Sequence, residues 1–214
     1  YPVRCVGELV ETERLTTDAQ ALDVGCAVGR SSFELARYCG SVTGIDLSAR
    51  FIETARGLVE TGSMTHPCPV EGRIQDTLSF RVPPEIDRTR VRFETGDACQ
   101  LRADLGPFDV VLNANLIDRL PDPAAFLDRL PDLVCPGGQL VLSSPFTWME
   151  SFTPPENWLG GTPGHPTWET VCERLDPHFE LAFSADLPFL IREHARKYQW
   201  SVARAGRWIR RPQA

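Results

Sequence analysis

The stretch that most constrains this chain is Ala21-Leu22-Asp23-Val24-Gly25-Cys26-Ala27-Val28-Gly29-Arg30, running on into Ser31-Ser32-Phe33-Glu34-Leu35-Ala36. An apolar run ends in a bend of small residues, and a helical pattern starts at once. That order reads as the first strand–loop–helix of an α/β fold, with Ser31 or Ser32 as the helix cap. Gly25, Ala27 and Gly29 keep bulk out of the bend, so the backbone can approach a ligand, and the helix N-terminus points at the same place. The spacing is Asp-x-Gly-x-Ala-x-Gly, not the Gly-x-Gly-x-x-Gly of a dinucleotide fold, whose turn seats a pyrophosphate. Asp23, two residues before the first glycine, is placed to face a cationic ligand.

Further strands follow in order. Ser41–Leu47 reads as a second short buried strand ending in Asp46, about twenty residues past the bend, where an acid can accept both ribose hydroxyls. The other reading of Asp46, a helix cap, suits Ser48 better, ahead of a helix over Ala49–Val59 with Phe51, Ile52, Ala55 and Leu58 on one face. Val91–Gly96 is the third strand, followed by Asp97-Ala98-Cys99. Phe108–Asn115 is the fourth, nearly all apolar, as a central parallel strand should be. Its end carries Asn113 and Asn115, then Asp118 and Arg119, at the carboxyl edge where open α/β sheets bind ligands. Asp122 caps a helix over Pro123–Val134, Cys135-Pro136-Gly137-Gly138 stops it, and Gln139–Ser144 is the fifth strand.

Pro166–Leu175 reads as a helix, and Phe179–Ile191 and Lys197–Arg210 as closing strands joined by Arg192-Glu193-His194-Ala195-Arg196. The fold class is therefore a three-layer α/β sandwich around a seven-stranded, mostly parallel sheet whose last strand is antiparallel. A nicotinamide dehydrogenase sheet has six parallel strands and no closing hairpin. With the sixth strand parallel to the others, the 192–196 turn projects toward the same mouth as Asn113–Arg119. Arg192, Glu193, His194 and Tyr198 become substrate-site candidates by topology.

Three segments are less regular. Residues 1–20 read as a helix (Val3–Leu15) and a polar turn lying over the cleft, with Tyr1, Arg4 and Cys5 either near a ligand or simply packed. Residues 61–90, carrying Pro67, Pro69, Pro83 and Pro84 and an apolar patch at Ile74–Val82, read as an insertion with one extra hairpin or short strand, of either functional or mobile character. Residues 144–166, with Trp148, Phe152 and Trp158, read as a lid or substrate wall, or as a satellite cluster under a long loop.

Composition narrows the partners. A length of 214 residues suits one α/β domain. The net charge of −7 argues against a nucleic-acid backbone as partner. Seven cysteines, with no Cys-x-x-Cys, favour free thiols in a reducing cytoplasm, and the four scattered histidines offer no metal spacing. No apolar run reaches the ~18–20 residues of a membrane span. No signal peptide is visible, and a start at Tyr1 without Met leads us to expect a piece of a longer polypeptide.

The glycine bend, the acid closing the second strand and the Asp-Ala pair after the third together resemble the class I S-adenosylmethionine-dependent methyltransferases. Four blocks narrow the likeness: the glycine-bend stretch, the run Ala-Asn-Leu-Ile-Asp-Arg-Leu-Pro-Asp-Pro that begins at Ala114, Pro-Glu-Asn-Trp-Leu-Gly-Gly, and Phe-Leu-Ile-Arg-Glu-His-Ala-Arg-Lys-Tyr-Gln-Trp-Ser-Val. These resemble the C-terminal methyltransferase domains of the ovothiol-biosynthesis (OvoA) family, along most of the chain. The resemblance implies S-adenosylmethionine as cofactor and S-adenosylhomocysteine as product. It implies cofactor contacts from Asp23, Gly25, Cys26, Ala27, Gly29 and Arg30 at the bend, from Asp46, Leu47 and Phe51 at the ribose, from Asp97, Ala98 and Cys99 at the adenine, and from Asn113. It further implies methylation of an imidazole nitrogen of 5-thiohistidine, with Asn115, Arg119, Trp148 and Arg192 near the substrate. His194, Glu193, Asp118 and Tyr198 are then candidates for catalysis, no metal is needed, and an iron-dependent sulfoxide synthase would be a fused or separate partner. The alternatives are methylation of another small metabolite, a non-catalytic cofactor-binding module, or a dehydrogenase.

Overall fold

The structure, a computed structural model, describes residues 1–212. Nine strands and five α-helices alternate along it: α1 (Pro2–Arg4), β1 (Gln20–Val24), α2 (Arg30–Leu35), β2 (Ser41–Asp46), α3 (Ala49–Thr61), β3 (Ser63–Glu71), β4 (Ile74–Arg81), β5 (Val91–Thr95), β6 (Phe108–Ala114), α4 (Pro123–Leu133), β7 (Val134–Ser144), α5 (Thr167–Leu175), β8 (Phe179–His194) and β9 (Lys197–Arg210). Seven strands form one sheet in the order β5-β2-β1-β6-β7-β9-β8. Only β9 runs against its neighbours. The expected sheet, with its antiparallel last strand, is what the chain forms.

Residues alternate between two cores, because successive side chains of a strand point to opposite faces. Ala21, Val110, Leu112 and Val141 join Phe33, Ile52, Ala55 and Cys5 on one side, under α1, α2 and α3. Leu22, Val111, Leu140 and Leu142 join Phe126, Leu130, Val171 and Trp208 on the other, under α4 and α5. Register lines up the carboxyl ends: Val24 lies beside Ile45 and Asn113, Asn113 beside Leu142, and Ala114 beside Ser143.

One expectation about the irregular segments changes, and another, an extra hairpin within 61–90, is what the chain forms. The N-terminal helix is shorter than Val3–Leu15: α1 continues as a π-helical turn over Cys5–Leu9, and Val10 is already extended (φ −79°, ψ 133°). The cause is tertiary. The Gln139 side-chain amide accepts from the Glu11 N–H (2.8 Å) and donates to the Glu11 carbonyl (3.1 Å), which captures the backbone groups a longer helix would use. The 61–90 segment holds a full antiparallel ribbon, β3–β4, separate from the main sheet. Pro67 and Pro69 fit within β3 because a two-stranded ribbon has an unpaired side on each strand.

The β8–β9 pair is longer than the sheet. β7 ends at Ser144, opposite Arg204, and Arg204 pairs with Asp186. Leu187 through His194 therefore run past the sheet edge, a reach of roughly 26 Å if extended at ~3.3 Å per residue. The overhang is steadied from below: the Tyr1 and Phe189 rings lie 4.3 Å apart between centroids, and Arg4 Nη1 donates to the Pro188 carbonyl at 2.7 Å. At its tip the Ala195 N–H donates to the Pro69 carbonyl of the other ribbon (3.3 Å), with Arg196 and Glu71 at 3.9 Å. The two ribbons, far apart in sequence, meet as an arch.

Candidate functional site

The bend after β1 is a run of left-handed turns. Gly25 (φ +77°), Ala27 (φ +48°) and Gly29 (φ +85°) all adopt positive φ. Such alternation turns successive N–H groups into one concavity, a nest for negative or electron-rich groups. Ala27, with a Cβ, bears strain there of order 1 kcal/mol. Its N–H donates to Asp46 Oδ2 at 2.9 Å, while Asp46 Oδ1 accepts from Ser48 N (2.9 Å). Asp46 thus fastens the bend to the end of β2. Each of its oxygens keeps a further lone pair for a hydroxyl donor. Ser48 caps α3, as expected, through Phe51 N.

Several bend residues have other duties than the sequence suggested. Gly29, not Ser31 or Ser32, is the N-cap of α2. Both serines donate instead to Asp23 Oδ2, at 2.7 and 2.6 Å. Asp23 is 1% exposed and does not face a ligand directly; it holds the start of α2 against β1. Burial, opposed by the two serine hydroxyls, pushes its carboxyl up to about 6. Cys26 is buried in the core, its thiol 3.0 Å from where a Cβ on Gly44 would sit, so only its backbone is available. Gly29 is required by packing, since a Cβ there would come within 2.3 Å of the Phe93 ring. Gly25 is packed by Leu116, a residue the sequence did not single out, whose side chain would lie 3.0 Å from an added Cβ.

Beyond β2 the apolar side chains Leu47 and Phe51 are bare, at 72% and 45% exposure. Asp97 caps a short 3-10 turn, accepting from Cys99 N (2.8 Å), and Ala98 is buried beneath it. Cys99 is not bare: its thiol donates to the Asp122 carbonyl at 3.4 Å. Asn113 is fully buried with neither amide atom hydrogen-bonded. An unmet buried amide costs about 1–3 kcal/mol, which a bound polar group would relieve. Asn115, at φ +55°, accepts from the Tyr1 hydroxyl (3.1 Å), which also reaches Ser143 Oγ (2.7 Å). Tyr1 is held firmly protonated, chiefly by burial, and burial likewise pushes the neighbouring Cys5 thiol up to about 11.

The residues assigned to substrate and catalysis separate into two groups. Asp118 is 1% exposed and latches the following loop: its Oδ2 accepts from Thr147 N (2.9 Å) and from Arg119 Nη1 (3.1 Å). Arg119 Nη1 also donates to the Asp118 and Thr147 carbonyls, and its guanidinium lies 5.2 Å from the Phe152 ring centre. These contacts make Arg119 a loop anchor instead of a free carboxylate clamp. Trp148 donates to Thr167 Oγ1 (3.0 Å) and stacks on Trp158, so it packs in a satellite cluster beside the second core.

The second group sits at the arch. Arg192 pairs in register with Tyr198, and both are exposed. Glu193 accepts from Lys197 Nζ (2.6 Å) and Gln199 Nε2 (2.7 Å), and these contacts, Lys197 first, hold its carboxyl below the usual range. His194 Nδ1 accepts from Arg196 N at 3.2 Å. With Nδ1 used as acceptor, the neutral ring carries its proton on Nε2 and presents a donor. Neither group is poised as a general base in this geometry.

A cavity borders the bend on the other side. It measures about 690 Å³ and lies between Val28 and Arg30, the α3 face carrying Phe51, and the β3–β4 ribbon. Sequence reading passed over it, because its wall is the segment that looked least regular. No group of three or more His, Cys, Asp or Glu side chains is disposed to hold a metal ion among the described residues. Among the same residues, no helix is long and apolar enough to cross a membrane.

A family profile described as a methyltransferase domain matches residues 22–142, more than half of the chain. The chain belongs to this methyltransferase family. Relatives include ubiquinone biosynthesis O-methyltransferases: that of Psychrobacter cryohalolentis is 32% identical over 126 residues, spanning 58% of this chain and 40% of its own. That of Xanthomonas euvesicatoria is 30% identical over 145 residues, 67% of this chain and 49% of its own. The chain thus spans less than half the length of these relatives. Among solved structures, the N-methyltransferase NodS of Bradyrhizobium japonicum in complex with S-adenosylhomocysteine superposes with a TM-score of 0.59 at 18% identity, over 99% of this chain and 84% of its own. A methyltransferase of Methanosarcina mazei gives 0.62 at 18%, over 94% and 96%.

The methyltransferase sheet order and bend fit S-adenosylmethionine as donor. Asp46 offers acceptors beside the nest, Leu47 offers bare apolar surface, and the unmet Asn113 amide lies at the same edge; Phe51 lines the neighbouring cavity. When bound, the cofactor supplies an electrophilic sulfonium methyl.

Proposed function

We propose that this methyltransferase transfers the methyl group of S-adenosylmethionine to an imidazole ring nitrogen of 5-thiohistidine, in ovothiol A biosynthesis, acting with or fused to an iron-dependent sulfoxide synthase. The observation that carries the reading is the arch. The block Phe189–Val202, which bears the most specific likeness to the ovothiol family, is the overhang that reaches across to the β3–β4 ribbon.

Such a roof suits methyl transfer, whose enzyme contribution is to hold two small partners in line with water kept out. An imidazole nitrogen attacks with its own lone pair, so the step needs no enzyme base. That agrees with Glu193 being paired to Lys197 and with His194 presenting a donor. Arg192 is exposed on the overhang and is one candidate cation for the acceptor's carboxylate. Asp23 and Asp118 act as positioning residues for the bend and the adjoining loop.

The test is mass spectrometry of 5-thiohistidine incubated with the protein and S-adenosylmethionine. One added methyl located on ring nitrogen is expected. Methylation on sulfur, or of histidine, histamine or a catechol in preference, would replace this acceptor with another. Binding of S-adenosylmethionine without turnover would leave a cofactor-binding module.

A further inference from the structure

The cavity beneath the β3–β4 ribbon combines apolar walls with three arginines, two of which have no carboxylate partner among the described residues. Phe51 from α3 and Phe80 from β4 present rings that are 45% and 46% exposed. Arg50, Arg81 and Arg30 line the same space, with His66 from β3. No Asp or Glu lines it. The whole chain has 29 acidic against 22 basic residues, so this local excess runs against the protein's charge.

The pairing pattern sharpens the point. Most arginines of the chain reach a carboxylate or a carbonyl. Arg30 is tied to Glu34 at 3.1 Å. Arg50 and Arg81 have no carboxylate within 4.0 Å and no side-chain hydrogen bond among the described residues. Arg50 is also the second residue of α3, where the helix dipole already presents positive charge and a cation is disfavoured. An arginine in that position is relieved by an anion. A flat apolar body between the two phenylalanine rings would bury surface that the fold leaves bare. The volume of about 690 Å³ lies within the range of small-molecule sites.

We infer that this cavity binds an organic anion: a carboxylate- or phosphate-bearing molecule with an aromatic-sized apolar body, its charge held by Arg50 and Arg81 and its body between Phe51 and Phe80. The inference does not depend on the identity of the methyl acceptor proposed above. The anion is either the acceptor itself or a second molecule held beside the cofactor bend.

Indole-3-acetate and its neutral counterpart indole-3-acetamide serve as probes, titrated calorimetrically against the full chain. The acid is expected to bind about tenfold tighter than the amide, with the preference shrinking as salt rises. In the Arg50→Gln/Arg81→Gln double variant the preference should fall below about threefold, the worth of one weak ion pair. Affinity for S-adenosylhomocysteine, measured on the same sample, should stay within about twofold, since neither arginine lies in the nest. Equal binding of acid and amide, binding of neither at millimolar concentration, or a preference that survives in the folded double variant would each overturn the site. Inhibition patterns separate the two sources: competition of indole-3-acetate with the methyl acceptor assigns the cavity to the acceptor, and non-competitive inhibition assigns it to a second molecule.

Discussion

The Ala27 amide lies 2.9 Å from Asp46 Oδ2, so the strained bend after β1 is pinned to the end of β2 by one charge-assisted hydrogen bond. The same carboxylate is the acceptor we propose for a ribose beside the nest. Asp46→Ala should therefore weaken S-adenosylhomocysteine binding by roughly 10- to 100-fold, the worth of a hydrogen bond to a charged group. Isothermal calorimetry checks this. Affinity within about twofold of the parent would remove Asp46 from cofactor recognition.

Asp23 makes a prediction in pH. Its carboxyl is raised from 3.8 to about 6 in the folded chain, chiefly by burial. Between these values the unfolded chain has lost the proton and the folded one keeps it. Stability therefore falls as pH rises from about 4 to about 6, by about 3 kcal/mol at ~1.4 kcal/mol per unit, and is level above. Asp23→Asn keeps an acceptor for Ser31 and Ser32 and removes the ionisation. Melting temperature against pH should show the variant without the parent's decline over that interval.

The Asp118 latch predicts a structural and not a chemical phenotype. Asp118→Ala strands the Thr147 amide and removes one of the acceptors of Arg119, which keeps the Asp118 and Thr147 carbonyls, and should cost about 1–3 kcal/mol of unfolding free energy. Urea denaturation measures that. Asp118→Asn, which keeps an acceptor for Thr147 N, should recover much of the loss. Its turnover at saturating substrate should stay within about threefold, whereas a lost catalytic base would cost about 100-fold or more.

At the arch, Glu193→Gln and His194→Gln should alter KM for the acceptor and leave the pH profile of kcat in place. Glu193 is committed to Lys197 and Gln199, and His194 already uses Nδ1. A titrating limb that disappears from the kcat profile of either variant would restore that residue as the base.

The sheet was readable because its strands are short apolar runs separated by turn residues, and the closing pair Phe179–Ile191 and Lys197–Arg210 was long enough to fix the direction of the last strand. The placing of Asp46 at the end of β2, the Ser48 cap and the bend itself were readable from the residue pattern. What sequence could not supply was partnership. Val3–Leu15 keeps an apolar helical spacing, yet Gln139, more than a hundred residues on, pulls Glu11 out of the helix. Asp118, Arg119 and Trp148 have the residue types of a substrate site, and only tertiary contacts reveal that they hold a loop and a satellite core together. Ser31 and Ser32 looked like caps because nothing local announces a buried aspartate behind them. The cavity of Arg50 and Arg81 was hidden because proline inside β3 disguises a strand that pairs outside the main sheet.

The closure of the arch rests on very little. A single backbone bond, Ala195 N–H to Pro69 carbonyl, and one long-range ion contact join the ribbon tips. The Ala195 proton is thus a built-in clock: its rate of trade with deuterated solvent reports how often the two spans part, and slowing of that trade by cofactor or acceptor would rank which of them seals the roof.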